Sequence, residues 1–240
     1  MEPPPPPPVI GIIGGIAPPS TVDYYNLLIA GYQARCQGTF PRIVINSLDL
    51  DGMLKLVNAE DWPAMTHRLV AEVGRLERAG ATIGLLAANT AHVVFDDVQA
   101  RCRLPLVSIV HAACDAALAQ GLGSVGLLGT RFTMEHGFYQ RVFTARGLRI
   151  VVPGADDLAW VHQRYFGELI YNQFTDSTRA GMVKVIGRMR EAARIGAVLL
   201  AGTELPLLLR ETEVDVPLID TTQVHVERVL DLVAPPQGIA

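Results

Sequence analysis

Short, gapless apolar runs alternate with longer segments of helical period along most of the chain. Val9 to Gly14, Arg42 to Ser47, Thr82 to Ala87 and Leu106 to Ile109 form one series of runs, and Ser124 to Leu128, Arg149 to Val152, Ala197 to Leu200 and Pro217 to Asp220 form a second. Runs of this length, apolar at consecutive positions and rich in β-branched residues, suit parallel strands covered by helices on both faces. Between them the spacing predicts helices. The first starts at Ser20, as N-cap, and runs to about Gln37; another spans Trp62 to Ala79, capped by Asp61, with Leu69, Val73 and Leu76 on one face and Gly80 as its stop. Further helices are predicted within Val93 to Arg101, over Ala112 to Ala119, up to Arg146, around Leu158 to Asn172 and Thr178 to Ile195, and over Gln223 to Val233. Strand and helix in such alternation predict an α/β fold with parallel sheets.

The two series repeat each other. Gly11-Ile12-Ile13-Gly14-Gly15 returns as Gly126-Leu127-Leu128-Gly129-Thr130, Ala88 and the polar turn after it return as Gly202 with Thr203-Glu204, and Pro105-Leu106-Val107 returns as Pro217-Leu218-Ile219. Landmarks in one order at nearly one spacing point to two copies of one unit. The expected organisation is two similar parallel-sheet α/β domains related by internal duplication. The first domain covers residues 9–111 with a returning C-terminal helix within 223–240, and the second covers residues 112–222. Residues 1–8, with Pro3 to Pro8, form a proline-rich arm that reads as an extended, solvated leader rather than a signal peptide.

Composition narrows the function. Half of the 240 residues are hydrophobic and 18% are charged, enough apolar material for two buried cores. A net charge of −4 without a Lys/Arg cluster gives no footprint for nucleic acid, and no apolar run is long enough to span a bilayer. Cys36, Cys102 and Cys114 are too few and too scattered for a disulfide framework or a zinc site, so no metal is expected and a reducing cytoplasm is the simplest location.

Candidate chemistry gathers at the strand ends. Ser20, Asn89, Thr90, Thr130, Thr133 and Thr203 are neutral donors placed where backbone N–H groups at helix starts also point outward. That set suits a small carboxylate. Helix capping explains each Ser or Thr singly, but not their recurrence at matching places in both copies. Glu204 and His92 are the foremost groups able to act as acid or base, with His111 after the strand Leu106 to Ile109 and Asp49 at the end of the second strand beside them; the ordinary alternatives are a dipole partner at a helix start and a packed histidine.

Gly14-Gly15-x-x-Pro18 with Thr21-Val22-Asp23-Tyr24-Tyr25, then Asn89-Thr90-Ala91-His92, Leu127-Leu128-Gly129-Thr130-Arg131-Phe132-Thr133-Met134, Thr203-Glu204-Leu205-Pro206, and Ile219-Asp220-Thr221-Thr222 with His225 occur in this order. Taken together they resemble the aspartate/glutamate racemase family over nearly the whole chain after the proline arm. The resemblance implies an active-site cleft between the two domains, no cofactor, and a homodimer. It also implies one cysteine before the Asn-Thr pair and one before the Thr-Glu pair, which remove and return the α-proton of an amino acid from opposite faces. Here those positions hold Ala88 and Gly202, and neither side chain can carry a proton. The segment Ile170 to Ser177 is also shorter than the resemblance would have it. The reading that follows is a racemase-like enzyme acting on a small carboxylic acid by non-thiol acid/base chemistry of isomerase, decarboxylase, lyase or cyclase type, with Glu204 and His92 as the acid/base groups. Two alternatives stand beside it: a pseudoenzyme that binds a carboxylate without turnover, and an amino-acid racemase that uses another residue pair.

Overall fold

The computed structural model describes residues 7–16, 18–210 and 212–234. Residues 1–6 of the expected proline arm and 235–240 of the expected C-terminal segment lie outside the described residues. The chain forms two compact units. One comprises the residues up to Ala87, Val94–Ser108 and those from Val226 onward; the other comprises Ala88–Val93 and Ile109–His225.

In the first unit β1 (Val9–Gly14) is followed by α1 (Pro18–Arg35), β2 (Arg42–Ser47), α2 (Leu50–Asn58), α3 (Trp62–Arg78), β3 (Ile83–Leu86), α4 (Phe95–Gln99) and β4 (Leu106–Val107). The strands pair in parallel in the order β2-β1-β3-β4. All six residues of β1 are buried, which is why its sequence has no polar position. The second unit adds α5 (Ile109–Ala119), β5 (Ser124–Gly129), α6 (Arg131–Glu135), α7 (Phe138–Ala145), β6 (Arg149–Val151), α8 (Ala155–Gly167), α9 (Asp176–Ala193), β7 (Ala197–Ala201), α10 (Leu205–Leu209) and β8 (Leu218–Asp220). Its order is β6-β5-β7-β8, again all parallel. The two sheets share one topology, as the repeated landmarks predicted.

The final helix, α11 (Thr221–Val233), lends Val226, Val229 and Leu230 to the core of the first unit, where they pack with Ile10, Ile12, Tyr24, Leu28 and Leu85. Burying each such side chain stabilises the fold by roughly 1.5–3 kcal/mol. The core of the second unit is built from β5 and β7 with Tyr139, Phe143, Val161, Met182 and Ile186 from the covering helices.

Four local features differ from the sequence reading, each for a physical reason. Helix α1 begins at Pro18, so Ser20 lies inside its first turn and is not the N-cap; prolines suit that turn because the N–H they lack would have no intrahelical partner. The helix expected up to Arg146 is two helices, α6 and α7, parted at His136-Gly137, where Gly137 takes φ +85°, a left-handed angle that favours glycine. Helix α11 starts at Thr221 rather than Gln223, because Asp220 Oδ1 accepts from the N–H groups of Thr222 at 2.8 Å and Gln223 at 3.1 Å. The turn 88–93 groups with the second unit although it leaves β3 of the first. Side chains in that turn hydrogen-bond to residues of the second unit: Asn89 to Tyr139 and Thr221, and His92 to Ile109.

Strand order also locates where ligands can sit. In each sheet the chain moves outward from the first strand to the second, then crosses back to the other side of the first. This topological switch lies between β1 and β3 in one sheet and between β5 and β7 in the other. In open α/β sheets, ligands bind outside the carboxyl ends of the strands at such a switch.

Candidate active site

The turn at the end of β1 uses Gly15 at φ +80°, whose N–H donates to Thr21 Oγ1 at 2.9 Å. A side chain on Gly15 would collide with the backbone of Leu48. Ser20 is fully buried beside this turn in the chain. At the corresponding end of β5, Thr130 caps α6: its Oγ1 accepts from the Thr133 N–H at 3.2 Å and lies 3.1 Å from Thr133 Oγ1. Both threonine hydroxyls therefore serve the helix start.

After β3 the chain enters a 3-10 turn, Thr90–Val94. Asn89 precedes it and is 5% exposed; its Oδ1 accepts from the Tyr139 hydroxyl at 2.5 Å and its Nδ2 donates to Thr221 Oγ1 at 3.5 Å. Thr221 Oγ1 donates in turn to the Leu200 carbonyl in β7 at 2.7 Å. Thr90, half-buried, opens the turn. His92 is held at both ring nitrogens by main-chain groups. Nε2 accepts from the Ile109 N–H at 3.1 Å, so Nδ1, 3.0 Å from the Ala88 carbonyl, carries the proton and donates it there. Burial, and then the neighbouring His225, push the His92 pKa down to about 3, and the ring stays neutral through the physiological range. The His225 ring meets it edge-on, with centroids 5.9 Å apart.

The end of β7 is different in kind. Gly202, Thr203 and Glu204 are all buried, with Glu204 2% exposed. Glu204 Oε2 accepts from the Tyr165 hydroxyl, brought in by α8, and from Thr203 Oγ1 at 3.2 Å. Burial, followed by the charge of Glu204, raises the Tyr165 pKa well above the usual phenol range. Here a carboxylate and a phenol share a proton donor–acceptor pair in a buried setting, which is where acid/base groups are commonly found.

The candidates thus fall into small groups. Thr203 and Glu204 meet, Thr130 and Thr133 meet, Asn89 is joined to Tyr139 and Thr221, and His92 bonds the Ala88 carbonyl. Tyr165 and Tyr139 are not singled out by the sequence, and Thr221 only as part of the motif Ile219-Asp220-Thr221-Thr222. The one signal pointing to Tyr165 is the glycine at position 202, which leaves room for another residue's side chain. Among the described residues, no group of three or more His, Cys, Asp or Glu side chains could hold a metal ion, and no helix is long and apolar enough to cross a membrane.

Comparison with known proteins places this arrangement. The profile of the Asp/Glu/hydantoin racemase family matches residues 13–229. The chain belongs to that family. A provisionally named Asp/Glu racemase from Yersinia pestis is similar to this chain in crystal structure, with a TM-score of 0.86 and 31% identity over 94% of this chain and 99% of that one. An aspartate racemase homologue from Pyrococcus horikoshii OT3 is similar at a TM-score of 0.81 and 34% identity, covering 93% of this chain and 98% of its own. The broad-specificity amino-acid racemase RacX of Bacillus subtilis (strain 168) is 23% identical over 221 residues, spanning 89% of this chain and 93% of the relative. As a member of the racemase family, the chain has two parallel-sheet α/β units of one topology, in keeping with these neighbours.

Proposed function

We propose that this racemase-family protein is an enzyme that moves a proton on the carbon next to a carboxylate of a small acid, amino acids foremost, without using a thiol. Glu204 is the acid/base group of this reading. The observation that carries it is the buried Glu204 carboxylate at the carboxyl end of β7, hydrogen-bonded to Tyr165 and Thr203 at the topological switch of its sheet. Ala88 and Gly202, which the family resemblance aligns with the two catalytic cysteines, carry no titratable atom, so a group other than a thiol at these positions moves the proton. The relationship to a broad-specificity amino-acid racemase supports amino acids as the first substrates to try.

We assign His92 a positioning role. With both ring nitrogens bonded to the main chain and a pKa near 3, it holds the Ala88 and Ile109 backbones together and is poorly placed to exchange protons at neutral pH. Asn89, through the second hydrogen of its Nδ2, is proposed as a substrate-side donor, and Thr203, whose hydroxyl donates to Glu204, as the group that orients that carboxylate, with Ser20, Thr90, Thr130 and Thr133 shaping the strand ends.

Proton NMR in D2O, following the α-proton of aspartate, glutamate and alanine enantiomers, tests the reading. The wild-type chain is expected to exchange at least one of these protons, and Glu204→Gln to slow exchange about 100-fold or more. Equal exchange in both proteins would remove Glu204 from the mechanism. A second reading, carboxylate binding without turnover, draws on the way Asn89 and His92 are already engaged by protein groups. It predicts saturable line-broadening, no exchange, and affinity indifferent to Glu204→Gln.

A further inference from the structure

Resting on the reading of Glu204 above, we propose that the Tyr165 hydroxyl occupies the place of a side chain at position 202 and exchanges the proton with substrate, with Glu204 as its partner in a two-oxygen relay.

The geometry at Gly202 is the starting point. A Cβ on this residue would lie 2.5 Å from the Tyr165 hydroxyl oxygen, 2.6 Å from Cε2 and 2.9 Å from Cζ, closer than side-chain carbons approach other atoms. Any side chain at 202 and the Tyr165 ring in its present position therefore exclude each other. The absence of a Cβ is what allows a phenol delivered by α8 to reach the carboxyl end of β7. Packing alone does not account for the choice. Phenylalanine would fill nearly the same volume without bringing a hydroxyl against a buried carboxylate, so the hydroxyl supplies a bond to Glu204 that shape alone does not require. Tyr165 is 4% exposed, and its hydroxyl is bonded to the one carboxylate in the Thr203-Glu204 turn.

The pair can move a proton without forming a free phenolate, which burial and the adjacent charge strongly disfavour. As the substrate C–H bond breaks, its proton bonds to the Tyr165 oxygen. In the same event the original Tyr165 O–H breaks and that proton bonds to Glu204. The electron pair of the C–H bond stays with the substrate as an enolate-like anion, so the negative charge leaves Glu204 and appears on the substrate. Return of the proton is the reverse sequence. Nothing is oxidised or reduced; two protons move and the net transfer is one, from substrate to Glu204. Because neither Ala88 nor Gly202 can supply a second proton carrier, the relay predicts that α-proton exchange outruns inversion of configuration.

The test uses the full chain in D2O with the L and D forms of aspartate, glutamate and alanine, following the α-proton by NMR and configuration by chiral chromatography. Tyr165→Phe, which retains the ring, is expected to slow exchange about 100-fold or more, as is Glu204→Gln. The double variant is expected to be no slower than the slower single, as for groups that act as one unit. 3-Fluorotyrosine placed at position 165 alone, which alters phenol acidity but hardly its size, is expected to change the exchange rate and its pH profile while leaving the melting temperature in place. If Tyr165→Phe exchanges at the wild-type rate while Glu204→Gln does not, or if fluorination leaves rate and profile untouched, the relay is overturned and the role of Glu204 stands. If the wild-type chain exchanges none of these protons, the acid/base reading itself fails and the relay with it.

Discussion

Two buried tyrosines in the second unit make the same kind of contact and reach opposite chemical ends. Tyr139 donates to Asn89, in the turn after β3, and Tyr165 donates to Glu204, in the turn after β7. Both phenols are buried, and burial raises both pKa values, so each keeps its proton at neutral pH and donates it to its partner. The acceptors differ. An amide oxygen cannot take the proton, so the Tyr139–Asn89 pair does no proton chemistry and serves to orient the Asn89 amide and its turn. A carboxylate can take it, so the Tyr165–Glu204 pair can also do proton chemistry. The turn after β3 is further fixed by His92 between the Ala88 carbonyl and the Ile109 N–H, a ring that stays neutral and takes up no further proton near neutral pH. One strand end is a staple, then, and the other is the reactive one in the proposed mechanism.

The largest expected effect separates the pairs kinetically. Tyr165→Phe lowers the exchange rate by the factor given above, whereas Tyr139→Phe acts on stability: it leaves Asn89 Oδ1 buried without its donor, at about 1–3 kcal/mol by urea unfolding. A loss of stability well under this range would mean the turn after β3 does not rely on Tyr139. Substitution at the two strand ends sharpens the contrast next. Gly202→Ala forces a methyl group onto Tyr165 and is expected to destabilise by roughly 1–3 kcal/mol, most of it relieved in the Gly202→Ala/Tyr165→Ala pair relative to the sum of the singles. Ala88→Gly, with no such neighbour to relieve, is expected to lose about 1 kcal/mol or less. Additive values in the Gly202 cycle would separate the glycine from the tyrosine.

The last comparison is a pH slope, small for each step of pH near neutrality. The folded His92 pKa of about 3 lies below its unbonded value of 6.5, so between these limits the unfolded chain binds one more proton than the folded chain. The stability from burying neutral His92 is complete above pH 6.5 and declines as pH falls towards 3, by about 1.4 kcal/mol for each pH unit. His92→Gln is expected to flatten that part of the stability–pH curve in urea titrations. An unchanged slope would assign the acid sensitivity to other groups.

Much of the fold was legible in the chain because it rests on short-range physics. The buried run Val9–Gly14, the cap of α3 by Asp61, whose Oδ1 accepts from the Ala64 N–H at 3.0 Å, and the repeat behind the two sheets all leave local patterns. Local errors were local too. Ser20 followed three residues on by Asp23 reads as a capped helix start, whereas the helix already begins at Pro18. The candidate residues at the strand ends were visible as types, but not their partners. Glu204 stands out beside Thr203, while nothing local sets Tyr165 apart from the other aromatic residues of α8. His92 offered a titratable ring, and only its two main-chain bonds reveal that both nitrogens are engaged.

By itself, the sequence determined which segments are strands and helices, that the unit occurs twice, and that positions 88 and 202 hold no titratable side chain. Hydrophobic period, caps and side-chain identity are properties of neighbouring residues, and they survive reading one residue at a time. Only the tertiary structure decided what fills the space beside Gly202, which acceptor each buried tyrosine meets, and how the proton on His92 is held. Those depend on atoms from distant parts of the chain brought within hydrogen-bonding distance, and in a close-packed interior a single absent Cβ determines which of them can enter.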